Sequence, residues 1–330
     1  MAGHSLETAR DSRRPPRRPR RWRAGLAALG VLAASAAVNR QLAKRAERRN
    51  PPLGRFIEVD GVRLHYLDRG QGPALVLLHG NGSMIQDFAC SGLVDLAARR
   101  HRVIVFDRPG YGHSTRPRGR MWSPGAQADL VAAALARLGV PSAVVLGHSW
   151  GASVALALAL DHPQAVRGLV LASGYYYPTA RVDMALLSGP ALPLLGDVAR
   201  HTVAPVASRL VWPLLMRKIF GPAPVPAKFA AFPREMAVRP SQIHAEAAES
   251  ALLIPSAAAM CRDYAALAMP VAIVAGAEDR LIDPAAQSLR LHRAIAQSSL
   301  HLVPGSGHMI HQTDPEAVMA AINAVFGKGG

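Results

Sequence analysis

The amino-acid sequence predicts an α/β protein: a mostly parallel eight-stranded sheet flanked by helices, with an inserted helical segment. Short apolar runs recur along the chain, and Ala-rich stretches of helical length separate most of them. Strands that are apolar throughout and alternate with helices are typical of buried parallel sheets built from βαβ units. Hydrophobic residues make up 50% of the chain, enough for a core of this size. The predicted strands are residues 56–59, 62–67, 74–78, 103–106, 143–146, 168–172, 271–275 and 300–303.

Positive charge is concentrated at the N-terminus. The whole chain has a net charge of +16, and residues 1–50 carry 13 Lys or Arg against 3 Asp or Glu. The other residues carry 25 against 19, which is much closer to balance. No nucleic-acid-binding motif follows this basic arm. We therefore expect an anionic membrane surface, rather than nucleic acid, as the partner of the arm.

The basic arm contains an apolar segment with basic flanks. A Pro/Arg run at residues 13–23 precedes the charge-free residues 24–38, and a second basic run covers residues 40–49. The apolar segment has 15 residues, whereas a spanning helix needs about 20. Three interpretations remain: a short membrane anchor, a cleaved signal peptide, or a cytosolic extension. We favour the anchor, which predicts a membrane-associated protein, whereas the other two predict an exported and a cytoplasmic protein.

Folded structure is predicted to begin near Gly54, after the arm. The first two strands flank Asp60 and Gly61, and an Asp-Gly pair between β-rich runs is typical of a hairpin. The later strands then alternate with helices, so their carboxyl ends should meet at one edge of the sheet, where ligands bind in such folds. The clearest helices are predicted at residues 126–138, 152–160 and 284–295.

One long segment interrupts the alternation of strands and helices. Residues 175–264 have a helical pattern with Pro and Met but no clear strand, and they are too many for a loop in a compact domain. We interpret them as a helical cap over the strand ends. The remaining body, residues 54–174 and 265–328, is then the α/β core.

A candidate nucleophile lies at the end of the predicted strand 143–146. The sequence there is Gly-His-Ser-Trp-Gly, with Ser149 at its centre, and a helix follows directly. A serine on a sharp strand-to-helix turn has a strained backbone, and Gly147 and Gly151 let neighbouring chain pass close by. The hydroxyl is exposed above the sheet beside the N-terminus of the next helix, which favours developing negative charge. We predict that Ser149 is the nucleophile.

A candidate acid follows the predicted strand 271–275. Asp279 ends the sequence Gly-Ala-Glu-Asp, and a carboxylate at this strand end can accept the imidazole N–H of a catalytic histidine. Asp283 is the nearest alternative, but it precedes Pro284, where a helix N-cap is expected. Glu278 is expected to be solvated. We therefore predict that Asp279 orients the histidine.

The candidate general base is His308, after the last predicted strand. Gly305 and Gly307 precede it and give the loop freedom to place the ring over Ser149. His311 is an alternative three residues later, at the start of the last helix. The order Ser, Asp, His along the chain is the order used by one serine-hydrolase fold. His148 is expected to pack at the turn, and His101 is expected at the surface.

From Gly54 to about Phe326 the chain resembles the α/β-hydrolase superfamily, in its serine-nucleophile branch near esterases, epoxide hydrolases and haloalkane dehalogenases. Two further motifs carry the resemblance, His-Gly-Asn-Gly at residues 79–82 and Asp-Arg-Pro-Gly-Tyr-Gly-His-Ser at residues 107–114. The resemblance implies an oxyanion hole made by the backbone N–H groups of Asn81 and Trp150. It also implies that residues 108–114 brace the loop beside the site. Gly82 stands where relatives usually have proline.

The resemblance also narrows the chemistry. Epoxide hydrolases and haloalkane dehalogenases need a carboxylate nucleophile, and this chain has Ser149, which disfavours both reactions. The serine branches that remain are carboxylesterases and lipases, lactonases, C–C bond hydrolases, proline iminopeptidases and cofactor-free haloperoxidases. We expect a carboxylesterase-like enzyme that needs no metal or organic cofactor. The alternatives are a C–C hydrolase or haloperoxidase with the same three residues, and a membrane-tethered binding protein without catalysis.

The expected substrate is a small to medium, apolar acyl compound. The cap supplies apolar side chains for a pocket or for packing onto the core, and both interpretations remain open. Tyr175, Tyr176 and Tyr177 lie where the chain leaves the sheet for the cap, and structural anchoring is the simpler interpretation of their role. The apolar cap residues are Met184, Leu186, Leu187, Leu210, Trp212, Leu214 and Leu215.

Overall fold

A computed structural model describes residues 21–181 and 188–328. The described residues form one eight-stranded sheet, which confirms the predicted fold class. The strands are β1 (Arg55–Val59), β2 (Val62–Arg69), β3 (Ala74–Leu78), β4 (Arg102–Phe106), β5 (Ala143–His148), β6 (Val166–Ala172), β7 (Val271–Gly276) and β8 (Ser299–Val303). Their order is β1-β2-β4-β3-β5-β6-β7-β8, with β2 antiparallel to both of its neighbours and every other pair parallel.

Helices cover the sheet and fill the long segment between β6 and β7. They are α1 (Arg21–Arg49), α2 (Ile85–Ser91), α3 (Leu93–Ala97), α4 (Pro124–Arg137), α5 (Trp150–Asp161), α6 (Leu195–His201), α7 (Ala204–Phe220), α8 (Arg234–Ala237), α9 (Pro240–Met260), α10 (Arg290–Ala294), α11 (Ile310–Thr313) and α12 (Pro315–Lys328). A π-helical turn, Ala285–Leu289, precedes α10. We call residues 173–270, between β6 and β7, the insertion.

The sheet has a hydrophobic layer on each face, because successive side chains of a strand point to opposite sides. Along β3, Val76 and Leu78 belong to one buried cluster, whereas Leu75 and Leu77 belong to another. The first cluster includes side chains of α4 and α5, and the second includes side chains of α2, α3 and α12. Burial on both faces explains why these strands are apolar throughout rather than alternating.

Helix α1 packs against the insertion instead of standing apart from it. Ser35 Oγ donates to the Thr202 carbonyl at 2.8 Å, and Asn39 Nδ2 donates to the same oxygen at 3.0 Å. Arg209 donates to Asn39 Oδ1 at 3.0 Å. The stretch of α1 from Ala24 to Arg49 is long and apolar enough to cross a membrane, judged by length and composition. Its most apolar 18 residues have a mean hydropathy of 1.3. The predicted apolar segment therefore lies inside a longer helix that continues through the second basic run.

The insertion is held to the core by a buried ion pair. The Arg108 guanidinium, from the loop after β4, contacts both carboxylate oxygens of Glu249 on α9, and one of these contacts is 3.0 Å long. Both side chains are buried. Gln127 Nε2 and the Tyr111 hydroxyl also donate to Glu249, at 2.9 and 2.7 Å. The carboxylate is thus surrounded by donors from the core, which compensates for the cost of its burial.

Removing this carboxylate should destabilise the protein strongly. In the Glu249→Ala variant the Arg108 guanidinium stays buried without its counterion, so we expect a loss of about 3–5 kcal/mol in the free energy of unfolding. Urea denaturation followed by circular dichroism measures it. The matched control is Asp95→Ala, which breaks the exposed Arg69–Asp95 pair and should cost at most about 1 kcal/mol. Equal losses in both variants would show that the buried pair does not hold the insertion.

Candidate active site

Ser149 lies on a strained turn between β5 and α5. Its backbone has φ 54° and ψ −118°, a conformation that non-glycine residues rarely adopt. The two glycines of the motif allow this turn to pack. A Cβ atom at Gly151 would lie 2.1 Å from the Leu78 carbonyl oxygen, and one at Gly147 would lie 2.3 Å from the Gly151 carbonyl oxygen. The turn therefore requires the glycines that flank the serine at a distance of two residues.

His308 and Asp279 form a hydrogen-bonded pair. His308 Nδ1 lies 2.7 Å from Asp279 Oδ2, and both side chains are buried. The other carboxylate oxygen, Oδ1, accepts hydrogen bonds from the backbone N–H groups of Leu281 and Ile282 at 2.8 and 3.0 Å. Because both oxygens are occupied, the carboxylate is fixed in position and can hold the imidazole in one orientation.

Ser149 and His308 line one cavity, with the loop after β3 beside them. A Cβ atom at Gly80 would lie 3.0 Å from Ser149 Cβ, so this loop passes directly over the serine. Among the described residues, no hydrogen bond joins Ser149 Oγ to the His308 ring. Such bonds are often long in unliganded sites and tighten when a substrate binds. The structure therefore brings the three predicted residues to one edge of the sheet, with the Asp279–His308 bond formed.

The predicted oxyanion-hole residues lie at the same cavity. Asn81 and Trp150 both line it, and within the described chain neither backbone N–H donates to another protein group. The Asn81 side chain faces α9, where its Nδ2 donates to the Glu246 carbonyl and to Ser250 Oγ, each at 3.2 Å. Two backbone donors without a protein acceptor next to a serine are what a developing oxyanion requires.

Arg108 positions the loop that carries Asn81. Its Nε donates to the His79 carbonyl at 2.8 Å, and one terminal nitrogen donates to the Gly80 carbonyl at 2.9 Å. The Arg108 backbone N–H donates to His79 Nε2 at 3.0 Å. Burial, with a contribution from the Arg108 charge, lowers the pKa of His79 to about 3, so this ring is neutral and can accept. The same guanidinium that binds Glu249 thus braces the predicted oxyanion loop.

The cavity has a volume of about 450 Å³ and is mostly apolar. Of the apolar residues predicted for the cap, Trp212 and Leu215 line the cavity, whereas Leu210 and Leu214 are 75% and 66% exposed. Met184, Leu186 and Leu187 lie outside the described residues. Tyr175 lines the cavity, and Tyr176 and Tyr177 are buried in the core, where Gln287 Oε1 accepts from both of their backbone N–H groups.

One carboxyl group faces this cavity without a partner. Glu246 on α9 lines it, and among the described residues its side chain has no hydrogen bond or ion pair. Burial and the nearby Glu249 charge raise the pKa of Glu246 from 4.5 to about 7. A Cβ atom at Gly82 would lie 3.5 Å from this carboxyl group, so the glycine that replaces the usual proline lies directly beneath it. The sequence does not single out Glu246 and Glu249, because α9 carries no motif of its own.

A second histidine–aspartate pair, His311 with Asp87, lies close to the turn that carries Ser149. His311 Nε2 is 3.0 Å from Asp87 Oδ1, so His311, the alternative general base, is paired with a different carboxylate. The His148 ring packs 4.3 Å from the His311 ring. The ligand atoms of Asp87, His148 and His311 lie within 4.8 Å of one another and could hold a metal ion. Both Asp87 oxygens already accept protein hydrogen bonds, from Ser83, His311 and Gln312. These bonds are enough to stabilise the buried carboxylate without a metal ion.

His101 is not at the surface, which corrects the expectation from the sequence. Its ring is buried and stacks on Phe326 at 4.1 Å between ring centroids. Nothing local in the sequence indicates this contact, because the two residues are far apart in the chain.

Known proteins that resemble this chain share one fold family. A family model described as the alpha/beta hydrolase fold matches residues 73–315. A 2-hydroxymuconate semialdehyde hydrolase of Pseudomonas sp. (strain CF600) is 36% identical over 137 residues, 40% of this chain and 48% of that protein. This match therefore spans about half of that hydrolase. Haloalkane dehalogenase 2 of Mycobacterium tuberculosis (strain ATCC 25618 / H37Rv) is 25% identical over 290 residues, 84% of this chain and 96% of the dehalogenase.

Solved structures show the same fold. A membrane phospholipase A, described as a bacterial virulence factor, matches with a TM-score of 0.65 and 24% identity over 94% of this chain and 99% of its own. A thermophilic esterase from Thermogutta terrifontis matches with a TM-score of 0.66 and 21% identity over 84% of this chain and 99% of its own.

The Glu246 carboxyl group should titrate near neutral pH. NMR of carboxyl-labelled glutamate, compared between the wild type and Glu246→Gln, should show one group with a pKa of about 7 that is absent from the variant. Because the folded-state pKa is raised, the folded protein holds this proton more tightly than the unfolded chain, and stability is lost as pH rises from about 4.5 through about 7. The variant should therefore lose less stability than the wild type over that range.

The control for this measurement is Glu316→Gln, which removes an exposed carboxyl group from α12. It should leave the NMR signal and the pH dependence of the melting temperature unchanged. A Glu246 signal that titrates near 4.5, the ordinary value, would contradict the description of this carboxyl group as enclosed.

Proposed function

Because the chain belongs to the alpha/beta hydrolase fold family, we propose that it is a serine hydrolase that cleaves an ester through an acyl-enzyme on Ser149. One observation supports this most strongly. The hydrogen-bonded His308–Asp279 pair shares a cavity with a serine on a strained strand-to-helix turn. This is the arrangement in which a base, its orienting acid and a nucleophile act together.

In the proposed reaction His308 Nε2 takes the proton of Ser149 Oγ while that oxygen attacks the ester carbonyl. Asp279 stabilises the imidazolium, and the backbone N–H groups of Asn81 and Trp150 hold the oxyanion. The tetrahedral intermediate collapses, the C–O bond to the alcohol breaks, and the His308 proton goes to the leaving oxygen. Water then attacks the acyl-enzyme with His308 as base, which releases the acid and restores Ser149.

The second candidate is hydrolysis of a carbon–carbon bond with the same three residues. The 36% identical relative named as a 2-hydroxymuconate semialdehyde hydrolase favours it. Muconate compounds carry carboxylate groups, however, and the cavity here is mostly apolar, although its wall includes Arg181 and Lys218 as well as the Glu246 carboxyl group. Dehalogenation is disfavoured because Ser149 stands where that reaction needs a carboxylate. We therefore keep ester hydrolysis first.

We propose an apolar acyl group as the part of the substrate that the cavity holds. Val211 and Leu215 of α7 line the cavity and are also 50% and 39% exposed, so the cavity reaches the surface at α7. Other large apolar side chains of α6, of α7 and of the residues next to these helices are also exposed, and we call the whole set the apolar face. They are Leu192, Leu194, Leu195, Val198, Val203, Val206, Leu210, Val211, Leu214 and Leu215.

We further propose that the protein is membrane-associated, with α1 and the apolar face against the bilayer. Many exposed large apolar side chains in one segment are typical of an interaction site rather than of water-facing surface. Helix α1 contacts α6 and contributes further exposed apolar residues, among them Leu26 and Leu29. The structural similarity to a membrane phospholipase A supports this arrangement only at the level of the fold. The ester would then enter from the lipid.

The catalytic proposal predicts ester turnover that depends on Ser149. On a p-nitrophenyl ester panel of increasing acyl length, Ser149→Ala and His308→Ala should each lower kcat/KM by at least about three orders of magnitude. Ser149→Ala should also abolish labelling by a fluorophosphonate probe. Ser153→Ala is the matched control, since it removes a buried serine of α5, the helix that follows Ser149, and it should keep both activities. Labelling that persists in Ser149→Ala would refute the nucleophile assignment. Faster turnover of 2-hydroxymuconate semialdehyde than of every ester would favour the second candidate.

The membrane proposal predicts a selective loss on lipid-embedded substrate. The double variant Leu210→Glu with Leu214→Glu places two charges on the apolar face without touching the cavity. Charged side chains are unfavourable in the apolar part of a bilayer, so the variant should bind the membrane more weakly. We expect hydrolysis of a vesicle-embedded ester to fall by about tenfold or more and hydrolysis of a water-soluble ester to be unchanged. Leu302→Glu, at a half-exposed leucine of β8, is the control. An equal fall on both substrates, or no fall on either, would count against the apolar face as a membrane contact.

A further inference from the structure

A second cavity lies on the other side of α9. It has a volume of about 770 Å³ and shares no lining residue with the catalytic cavity in the part of the chain that the structure describes. Ser241 and His244 of α9 face this second cavity, whereas Glu246 and Ser250 face the catalytic one. The other walls come from the loop that precedes α4, from α1 and from α6. We call it the basic cavity.

The charge of the basic cavity is strongly unbalanced. Five arginines line it, against one lining carboxylate, Glu47 of α1. Among the described residues only two of the five have a carboxylate partner: Arg239 pairs with Glu47 at 2.8 Å, and Arg200 pairs with Asp197. The three without a carboxylate partner are Arg116, Arg118 and Arg120. Several like charges in one concavity with low-dielectric walls create a strong positive potential.

Guanidinium donors in the basic cavity are left without protein acceptors. Within the described chain Arg118, which is exposed, makes no protein hydrogen bond. Arg116 makes one, from a terminal nitrogen to the Pro109 carbonyl at 3.0 Å, and the exposed Arg120 makes one to the Ala126 carbonyl at 3.4 Å. Arg200 is only 7% exposed, and its Nε–H finds no acceptor among the residues that the structure describes. An unsatisfied buried donor on a charged group is costly, and Arg200 carries one in the wall of this cavity.

The first turn of α9 adds to the positive potential. The helix has 21 residues, begins with Pro240, and its N-cap residue Arg239 gives no side-chain hydrogen bond to the first turn. Arg239 and Ser241 both line the basic cavity, so the positive end of the helix dipole lies there. Burial lowers the pKa of both lining histidines, His113 and His244, which favours their neutral form.

We propose that the basic cavity binds a phosphate group. Arginine forks bind the oxygens of a tetrahedral phosphate through paired N–H donors, and a doubly charged group matches the excess of guanidinium groups better than a single carboxylate. Free phosphate and a lipid headgroup offer the same chemistry. The cavity borders the apolar face, since Arg200 stands on α6 together with Leu195 and Val198. A phosphate at the membrane surface would therefore be within its reach.

The test measures binding rather than turnover, and it also uses the Ser149→Ala variant, so its outcome does not depend on hydrolysis. Inorganic phosphate is titrated into the full-length protein by calorimetry, with chloride at matched ionic strength as reference. We expect saturable binding and a rise in melting temperature that chloride does not give. Arg118→Gln should weaken binding by about tenfold or more, because it removes a charge-assisted donor. The matched control is Arg99→Gln, which removes the same charge from an exposed site outside the cavity.

Two further binding experiments distinguish a free phosphate from the phosphate of a lipid headgroup. Glycerol 3-phosphate and vesicles of phosphatidylglycerol or phosphatidylcholine are offered to the wild type, Arg118→Gln and Arg99→Gln. A loss of vesicle binding in Arg118→Gln alone assigns the site to a lipid headgroup, whereas weaker binding of inorganic phosphate with unchanged vesicle binding assigns it to free phosphate. Equal effects of Arg118→Gln and Arg99→Gln in every arm, or no phosphate effect beyond that of chloride, would overturn the proposal.

Discussion

Close packing of backbone at the end of β5 determines where the reacting groups stand. The Leu78 carbonyl, at the end of β3, approaches Gly151 so closely that any side chain there would collide with it, and Gly80 passes over Ser149. At this contact between neighbouring strand ends Ser149 has a positive φ of 54° and lines the cavity. The predicted oxyanion donors, the Asp279–His308 pair and the cavity walls are all arranged around that point.

Helix α9 connects the features that the core alone does not explain. One of its carboxylates, Glu249, receives the Arg108 guanidinium, and that same guanidinium holds the carbonyl groups of the loop over Ser149. A turn earlier Glu246 faces the catalytic cavity, and the start of the helix faces the basic cavity. The helix therefore separates the mostly apolar catalytic cavity from the basic cavity, and it also supports the predicted oxyanion loop. A change of charge in either cavity would therefore act on α9.

The strands and the three motif residues could be predicted from the sequence because their signals are local. Buried parallel strands are continuous apolar runs, and Ser149 and Asp279 lie just after two such strands, β5 and β7. His308 follows β8, an edge strand that is only partly buried but still has three apolar residues. The groups that were missed depend on contacts between distant segments. Glu249 meets Arg108 only after the insertion folds onto the core, and His101 meets Phe326 only when the last helix packs. The docking of α1 on Thr202 is of the same kind, since Ser35 and Asn39 carry no local signal for it.

The central claim is that Ser149 carries the acyl group of the substrate during turnover. Intact-mass spectrometry of the protein quenched in acid during turnover of a slow ester tests this claim most directly. We expect a mass increase equal to the acyl group minus one hydrogen, located by peptide mapping on Ser149 and absent from Ser149→Ala. A protein that turns over the ester without any acyl adduct, or with the adduct on another residue, would contradict it.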